Sequence, residues 1–141
     1  MVMRVFIAGI MQGSRTDTDI DAQDYRAQIG QILRTALPGV EVVDPLALHP
    51  DSVMYTPEEA KQTLIDLVTL TRQMDALVAY VPSASMGTAL EMWHAFQHDV
   101  PVYTISPMTS NWVIRSLSTQ VFDTLAAFTA FVSDGGLGDL A

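Results

Sequence analysis

A chain of 141 residues, 49% of them hydrophobic, has the size of one compact domain with a single core, and no linker, internal repeat or low-complexity segment divides it. With 7 Lys and Arg against 16 Asp and Glu the formal net charge is -9, so the long-range field repels polyanions and makes DNA, RNA and anionic membrane surfaces poor partners. The absence of cysteine removes disulfides, thiol nucleophiles and thiolate metal sites, and suits a cytoplasmic protein.

The opening Met1 to Met11 run is too short to span a bilayer, and no small-residue cleavage site follows it, so it reads as a first strand. Val5-Phe6-Ile7-Ala8 is that strand, ending at Gly9 in a loop that runs to Asp19. From Asp21 the residues Tyr25, Ile29, Ile32, Leu33 and Ala36 form one helical stripe, which Pro38-Gly39 stops. Val40 to Val43 is a second strand closed by Asp44-Pro45. A polar loop through His49 and Tyr55 then reaches Thr56-Pro57-Glu58-Glu59. That order predicts a capping box opening a helix that carries Leu64, Ile65, Val68 and Leu70.

Ala76 to Val81 is continuously apolar, as expected of a central strand covered on both faces. Pro82 to Gly87 reads as a turn and Thr88 to Gln97 as a helix with Leu90, Trp93 and Phe96 available to pack. Pro101 to Ile105 is a fourth strand, and Ser106 to Ser118 a loop with a short helix. A weak fifth strand at Gln120-Val121-Phe122 precedes a last helix from Asp123 to Val132. Strands alternating with helices predict right-handed crossovers around a parallel sheet: a flavodoxin-like or Rossmann-like α/β three-layer sandwich with strand order 2-1-3-4-5. Ligands of such sheets sit beyond the carboxyl ends of the strands where the order reverses, which singles out the loops Gly9 to Arg15 and Pro82 to Glu91.

In the first loop, Gly9 and Gly13 flank Ile10, Met11 and Gln12 and would let the backbone approach a ligand closely; a turn needing positive φ is the plainer explanation. It is neither a Walker A loop nor Gly-x-Gly-x-x-Gly. In the second, Ser85, Gly87 and Thr88 precede Glu91 where a helix should begin, placing N–H groups and hydroxyls beside a carboxylate that the helix dipole would keep ionised. An ionised carboxylate facing a bound sugar can attack its anomeric carbon and form a covalent glycosyl-enzyme. A solvated first-turn Glu is the competing account.

The third strand with Asp75 and Ala79, followed by Ser85-Met86-Gly87-Thr88-Ala89-Leu90-Glu91-Met92 and Ala95, resembles the signature of the nucleoside 2-deoxyribosyltransferase family, and the resemblance runs from Val5 to about Ser118. The first loop and Ser85 look nearer the branch that hydrolyses nucleoside 5'-monophosphates. The resemblance implies Glu91 as the nucleophile on C1', a 5'-phosphate held by Gly9 to Gly13 and Ser85, and Arg15 closing that loop. It also implies a homodimer or larger assembly in which Asn111, Ser116 or Ser118 reaches a neighbouring subunit's site.

Two positions depart from the family pattern. Phe6 stands where the family has a first-strand tyrosine whose hydroxyl helps orient the nucleophile, and Leu67 stands where it has a catalytic Asp, with Asp66 one residue away. Asp66, Tyr55 and Asp44 are the candidates to compensate. Trp112, after Asn111 on the ligand edge, could stack on a base. The activity implied is cleavage of the N-glycosidic bond of a nucleoside or nucleotide without a cofactor, the base leaving to water or being exchanged for another; the alternative is a nucleotide-binding or sensing module with a degenerate site. A flavodoxin-type electron carrier is also compatible with the fold, although Ile10 and Met11 interrupt the Ser and Thr expected around a flavin phosphate. His94 and His98, with His49 as a third ligand, could be imagined to hold a metal, yet a His-x-x-x-His pair commonly lies on a solvated face.

Overall fold

The structure is a computed structural model and describes residues 2–12 and 22–140. Strand β1 (Arg4–Gly9) leads to helix α1 (Asp24–Ala36), β2 (Glu41–Val43), a short α2 (Pro45–Leu48), α3 (Pro57–Leu70), β3 (Ala76–Tyr80), α4 (Met86–Gln97), β4 (Val102–Ile105), α5 (Trp112–Leu117), β5 (Gln120–Phe122) and α6 (Leu125–Ser133). The five strands form one sheet in the order β2-β1-β3-β4-β5, all pairs parallel, as the alternation of elements predicts. The order reverses between β1 and β3, so their carboxyl ends, Gly9 and Tyr80, mark the ligand edge.

Pleating sends alternate residues of β1 and β3 to opposite faces, which builds two cores. Val5, Ile7, Ala76 and Val78 join Tyr25, Ile29 and Leu33 of α1 and Phe128 and Val132 of α6 on one side. Phe6, Ala8, Leu77 and Ala79 join Met92 and Ala95 of α4 and Ile114 of α5 on the other. Each fully buried Leu, Ile, Val or Phe contributes about 1.5–3 kcal/mol relative to exposure, so the two layers hold the sheet without disulfides.

Local chemistry sets the helix ends. Gly39, at φ 83, supplies the left-handed turn after α1 that a residue with a side chain would strain. The capping box is formed: Thr56 Oγ1 accepts from Glu59 N at 3.2 Å, and Thr56 N donates to Glu59 Oε1 at 3.0 Å. Three details differ from the sequence reading. The stretch after β2 contains α2, capped by Asp44, whose side chain accepts from Leu46 N at 3.0 Å. Helix α3 buries no residue fully and leaves Leu64 and Ile65 exposed. Helix α4 starts at Met86 rather than Thr88, because Ser85 takes the N-cap position.

Candidate active site

Helix α4 begins immediately beyond the edge of the sheet. Ser85 adopts extended backbone, and its Oγ accepts from Thr88 N at 3.3 Å and shares a 2.8 Å hydrogen bond with Thr88 Oγ1. Gly87, on the first turn, has no heavy atom within 4 Å of where a Cβ would sit, so its backbone faces open space. Starting the helix at Met86 moves Glu91 into the second turn, past the reach of the terminal dipole. There Glu91 is buried, and loss of solvation pushes its carboxyl up to about 8, with the Arg26 guanidinium pulling the other way. Glu91 is therefore neither the carboxylate kept ionised by the helix dipole nor the solvated first-turn Glu of the competing account, but a desolvated acid whose ionised form the Arg26 cation favours.

Glu91 faces a cleft of about 460 Å³ shared with Gly9, Met11, Gln12, Arg26, Pro45, Leu64, Leu67, Ser85, Gly87, Thr88 and Leu90. That volume is within the range of small-molecule sites, about 300–1,000 Å³. Arg26, only 3% exposed, is its buried cation. Its Nη1 donates to Ile7 O and to Asp44 Oδ1, both at 3.1 Å, its Nη2 to Gly9 O at 3.3 Å, and its Nε to Gln23 Oε1 at 2.6 Å. Three charge-assisted bonds thus tie the guanidinium to the end of β1 and the cap of α2, and a fourth to Gln23 at the start of α1. On a helix written as Asp-Tyr-Arg-Ala-Gln the residue reads as a solvated charge, and only its position beside the Tyr25-Ile29-Leu33 stripe hints that it turns inward.

Gly9 lines the cleft and also has a packing role: a Cβ there would lie 2.7 Å from the Tyr25 ring. Tyr25 stacks on Tyr80 with centroids 4.5 Å apart and donates its hydroxyl to Ile10 O at 3.1 Å, and burial holds that phenol protonated far above its usual range. Ile10 is buried and contributes its carbonyl to this contact rather than a side chain to the cleft. Phe6 is fully buried in the α4-side core and lies outside the cleft lining. Gly13 and Arg15 lie outside the described residues.

At the expected second carboxylate, Leu67 lines the cleft, whereas Asp66 is exposed and accepts from Gln62 Nε2 at 2.8 Å. Asn111 caps α5, its Oδ1 accepting from Val113 N and Ile114 N, and lines a neighbouring hollow of about 210 Å³ that meets the cleft at Ser85, Met86 and Thr88. Trp112 and Ser116 are exposed on α5 and do not line the Glu91 cleft, and Ser118 Oγ bonds Thr104 Oγ1 at 2.6 Å. His94 and His98 stack on α4, while His49 bonds Tyr55 instead. No group of three or more His, Cys, Asp or Glu side chains suited to a metal occurs among the described residues. Nor, among them, is any helix long and apolar enough to cross a membrane.

No protein-family model matches the sequence, and no curated protein matches it either. Solved structures do. The chain superposes on a 2-deoxyribosyltransferase from Bacillus psychrosaccharolyticus with a TM-score of 0.71 at 16% identity, covering 97% of this chain and 95% of that one. The solution structure of BlsM gives a TM-score of 0.70 at 22% identity over 99% of this chain and 91% of its own. A conserved protein from Enterococcus faecalis V583 gives 0.64 at 14% identity over 95% and 99%. The sheet order, its crossovers and these end-to-end superpositions place the chain in the fold shared by a 2-deoxyribosyltransferase and BlsM.

Proposed function

We propose that the protein cleaves the N-glycosidic bond of a nucleoside or nucleoside 5'-monophosphate, with Glu91 as nucleophile. The observation that carries this reading is the placement of Glu91, a buried carboxyl paired electrostatically with Arg26 and facing a cleft at the first turn of α4. The fold shared with a 2-deoxyribosyltransferase, described as a biocatalyst for nucleoside synthesis, supports the substrate class. The ionised Glu91 oxygen attacks C1', the C1'–N bond breaks with its electron pair on the base, and a glycosyl ester forms. Water or a second base then displaces Glu91. No electrons pass to or from a cofactor in either step.

Ser85 and the N–H groups of the first turn of α4 receive the 5'-phosphate, since a helix start with a hydroxyl cap and an open Gly87 presents donors to an anion despite the acidic surface. The test is chromatographic: free base released from a panel of nucleosides and 5'-monophosphates, with and without an acceptor base. Release from monophosphates without acceptor is expected. In the same assay Ser85→Ala should raise KM for monophosphates at least about tenfold more than for nucleosides, the loss of one charge-assisted bond being about 1.5–3 kcal/mol. Equal loss for both would remove the phosphate from Ser85. A binding module is the second reading, favoured by the absence of a second carboxylate among the described residues of the cleft lining; saturable nucleotide binding with no base released over long incubation would establish it.

The assembly is a dimer or larger. Met86, Leu64 and Leu90 line the cleft and are also exposed, and the same two helices carry exposed Ile65, Trp93 and Phe96, the last two stacked with centroids 5.9 Å apart. A second copy covering this face would bury it and close the cleft at once. Sedimentation should give at least twice the 15.4 kDa chain mass, and Trp93→Glu should return the monomer. A wild-type monomer at working concentration would refute the assembly.

A further inference from the structure

Glycosidic cleavage leaves a base that is a poor anion, so the reaction needs an acid beside the departing nitrogen or oxygen. A side hollow of about 180 Å³ adjoins the cleft at Glu91, and the two share Met11, Gln12, Pro45, Leu64 and Leu67 as lining residues. His49 and Tyr55 line that hollow, and His49 Nδ1 lies 2.7 Å from the Tyr55 hydroxyl with the rings edge to face. Among the described residues lining the two adjoining spaces, the ionisable side chains are Glu91, Arg26, His49 and Tyr55. Arginine keeps its protons, Glu91 is occupied by the sugar, and a phenol is a weak acid near neutrality. That leaves the His49 imidazole, whose two ring nitrogens can donate and accept, as the group suited to hand a proton to the base.

We propose that His49, positioned by Tyr55, is the acid that protonates the departing base, with the side hollow as the place where that base sits; this rests on the glycosidic reading above. The pair is set on fixed ends of structure. His49 N donates to Pro45 O at 2.9 Å to close α2, Tyr55 N donates to Ser52 O at 3.1 Å, and Tyr55 immediately precedes the capped Thr56. In the imidazolium form Nδ1–H donates to the Tyr55 oxygen, leaving Nε2–H as the donor. As Glu91 bonds to C1' and the C1'–N bond breaks, the Nε2 proton passes to the base, giving the glycosyl ester, neutral base and neutral imidazole. When water attacks C1', its proton returns to Nε2, the C1'–O bond to Glu91 breaks and the carboxylate is restored. Leu67, at the position where a carboxylate donor is otherwise expected, then forms the apolar wall between sugar and base rather than a defect.

The test compares two leaving groups on the purified wild type, His49→Gln and Tyr55→Phe: a 2'-deoxynucleoside 5'-monophosphate, whose base needs a proton, and 4-nitrophenyl 2-deoxyribose 5-phosphate, whose phenolate leaves without one. His49→Gln is expected to lower kcat/KM for base release by about 10²–10⁴-fold, the usual contribution of a general acid, while kcat/KM for nitrophenolate release, which reports only formation of the glycosyl ester, stays near wild type. Tyr55→Phe, which keeps the ring and removes the anchor for Nδ1, should show the same dependence on leaving group at smaller size. Parallel loss on both substrates in the two variants would make the pair structural, and undiminished base release would make it a bystander; either overturns the proposal. A wild type that releases neither base nor nitrophenolate overturns the glycosidic reading itself, and this inference with it.

Discussion

Glu91→Gln is expected to abolish base release and, at alkaline pH, to make the protein more stable than the wild type. The first effect follows from removal of the nucleophile, and near-wild-type turnover in the variant would end the assignment. The second follows from the burial that pushes the Glu91 carboxyl up from 4.5 to about 8. Below about pH 4.5 folded and unfolded chains both hold the proton, and the raised folded value carries no penalty. Between about 4.5 and about 8 the unfolded chain releases the proton while the folded one retains it, so stability falls by up to about 1.4 kcal/mol per pH unit and the loss is complete above the folded value. The accumulated cost is a few kcal/mol, on the order of a third of the stability of an ordinary domain. Glutamine cannot ionise, so thermal melts should coincide near pH 5 and separate in favour of the variant by roughly 5–10 °C near pH 9. A separation that does not grow with pH would mean that Glu91 is solvated. Turnover has the same origin with the opposite sign: on the nitrophenyl substrate, whose phenolate leaves without a proton, kcat/KM of the wild type should rise with pH through a midpoint near about 8 as the nucleophile ionises.

Arg26→Met should be the most damaging single change in the site. It removes four hydrogen bonds, leaves the carbonyls of Ile7 and Gly9 without this donor, and strips Asp44 of its ion-pair partner at 3.1 Å. Breaking a buried pair from one side costs about 3–5 kcal/mol. The cation also lowers the Glu91 carboxyl against the effect of burial, so its loss should move the acid limb of the activity profile to higher pH. Arg26→Lys separates the two consequences. An ammonium has three donors for four acceptors, so stability falls less, but the positive charge stays and the acid limb should move little. Denaturant unfolding and pH profiles of the two variants check both statements; an unshifted limb in a folded Arg26→Met protein would disconnect Arg26 from the nucleophile.

The sequence by itself determined the architecture. Apolar runs at Val5–Ala8 and Ala76–Val81, the stripe through Tyr25, Ile29 and Leu33, the Thr56 capping box and the Pro38-Gly39 stop are local signals with local causes, and the five parallel strands in the order 2-1-3-4-5 follow from their alternation. The loop from Ser85 to Glu91 was legible as the place to look, because its residues cluster within one helical turn or two. What only the tertiary structure decided is the state of that site. A helix beginning two residues earlier carries Glu91 out of the dipole's reach and buries it beside the cleft, turning a carboxylate expected to be kept ionised by the dipole into a desolvated acid. Arg26 reads as a surface charge until the carbonyls at the end of β1 and the cap of α2 converge on it. His49 and Tyr55 become a pair only when α2 and the turn after it fold back over α3. Strand and helix propensities are properties of neighbours along the chain, whereas desolvation and hydrogen-bond partnership are properties of neighbours in space, and those neighbours come from separate elements that local propensity does not bring together.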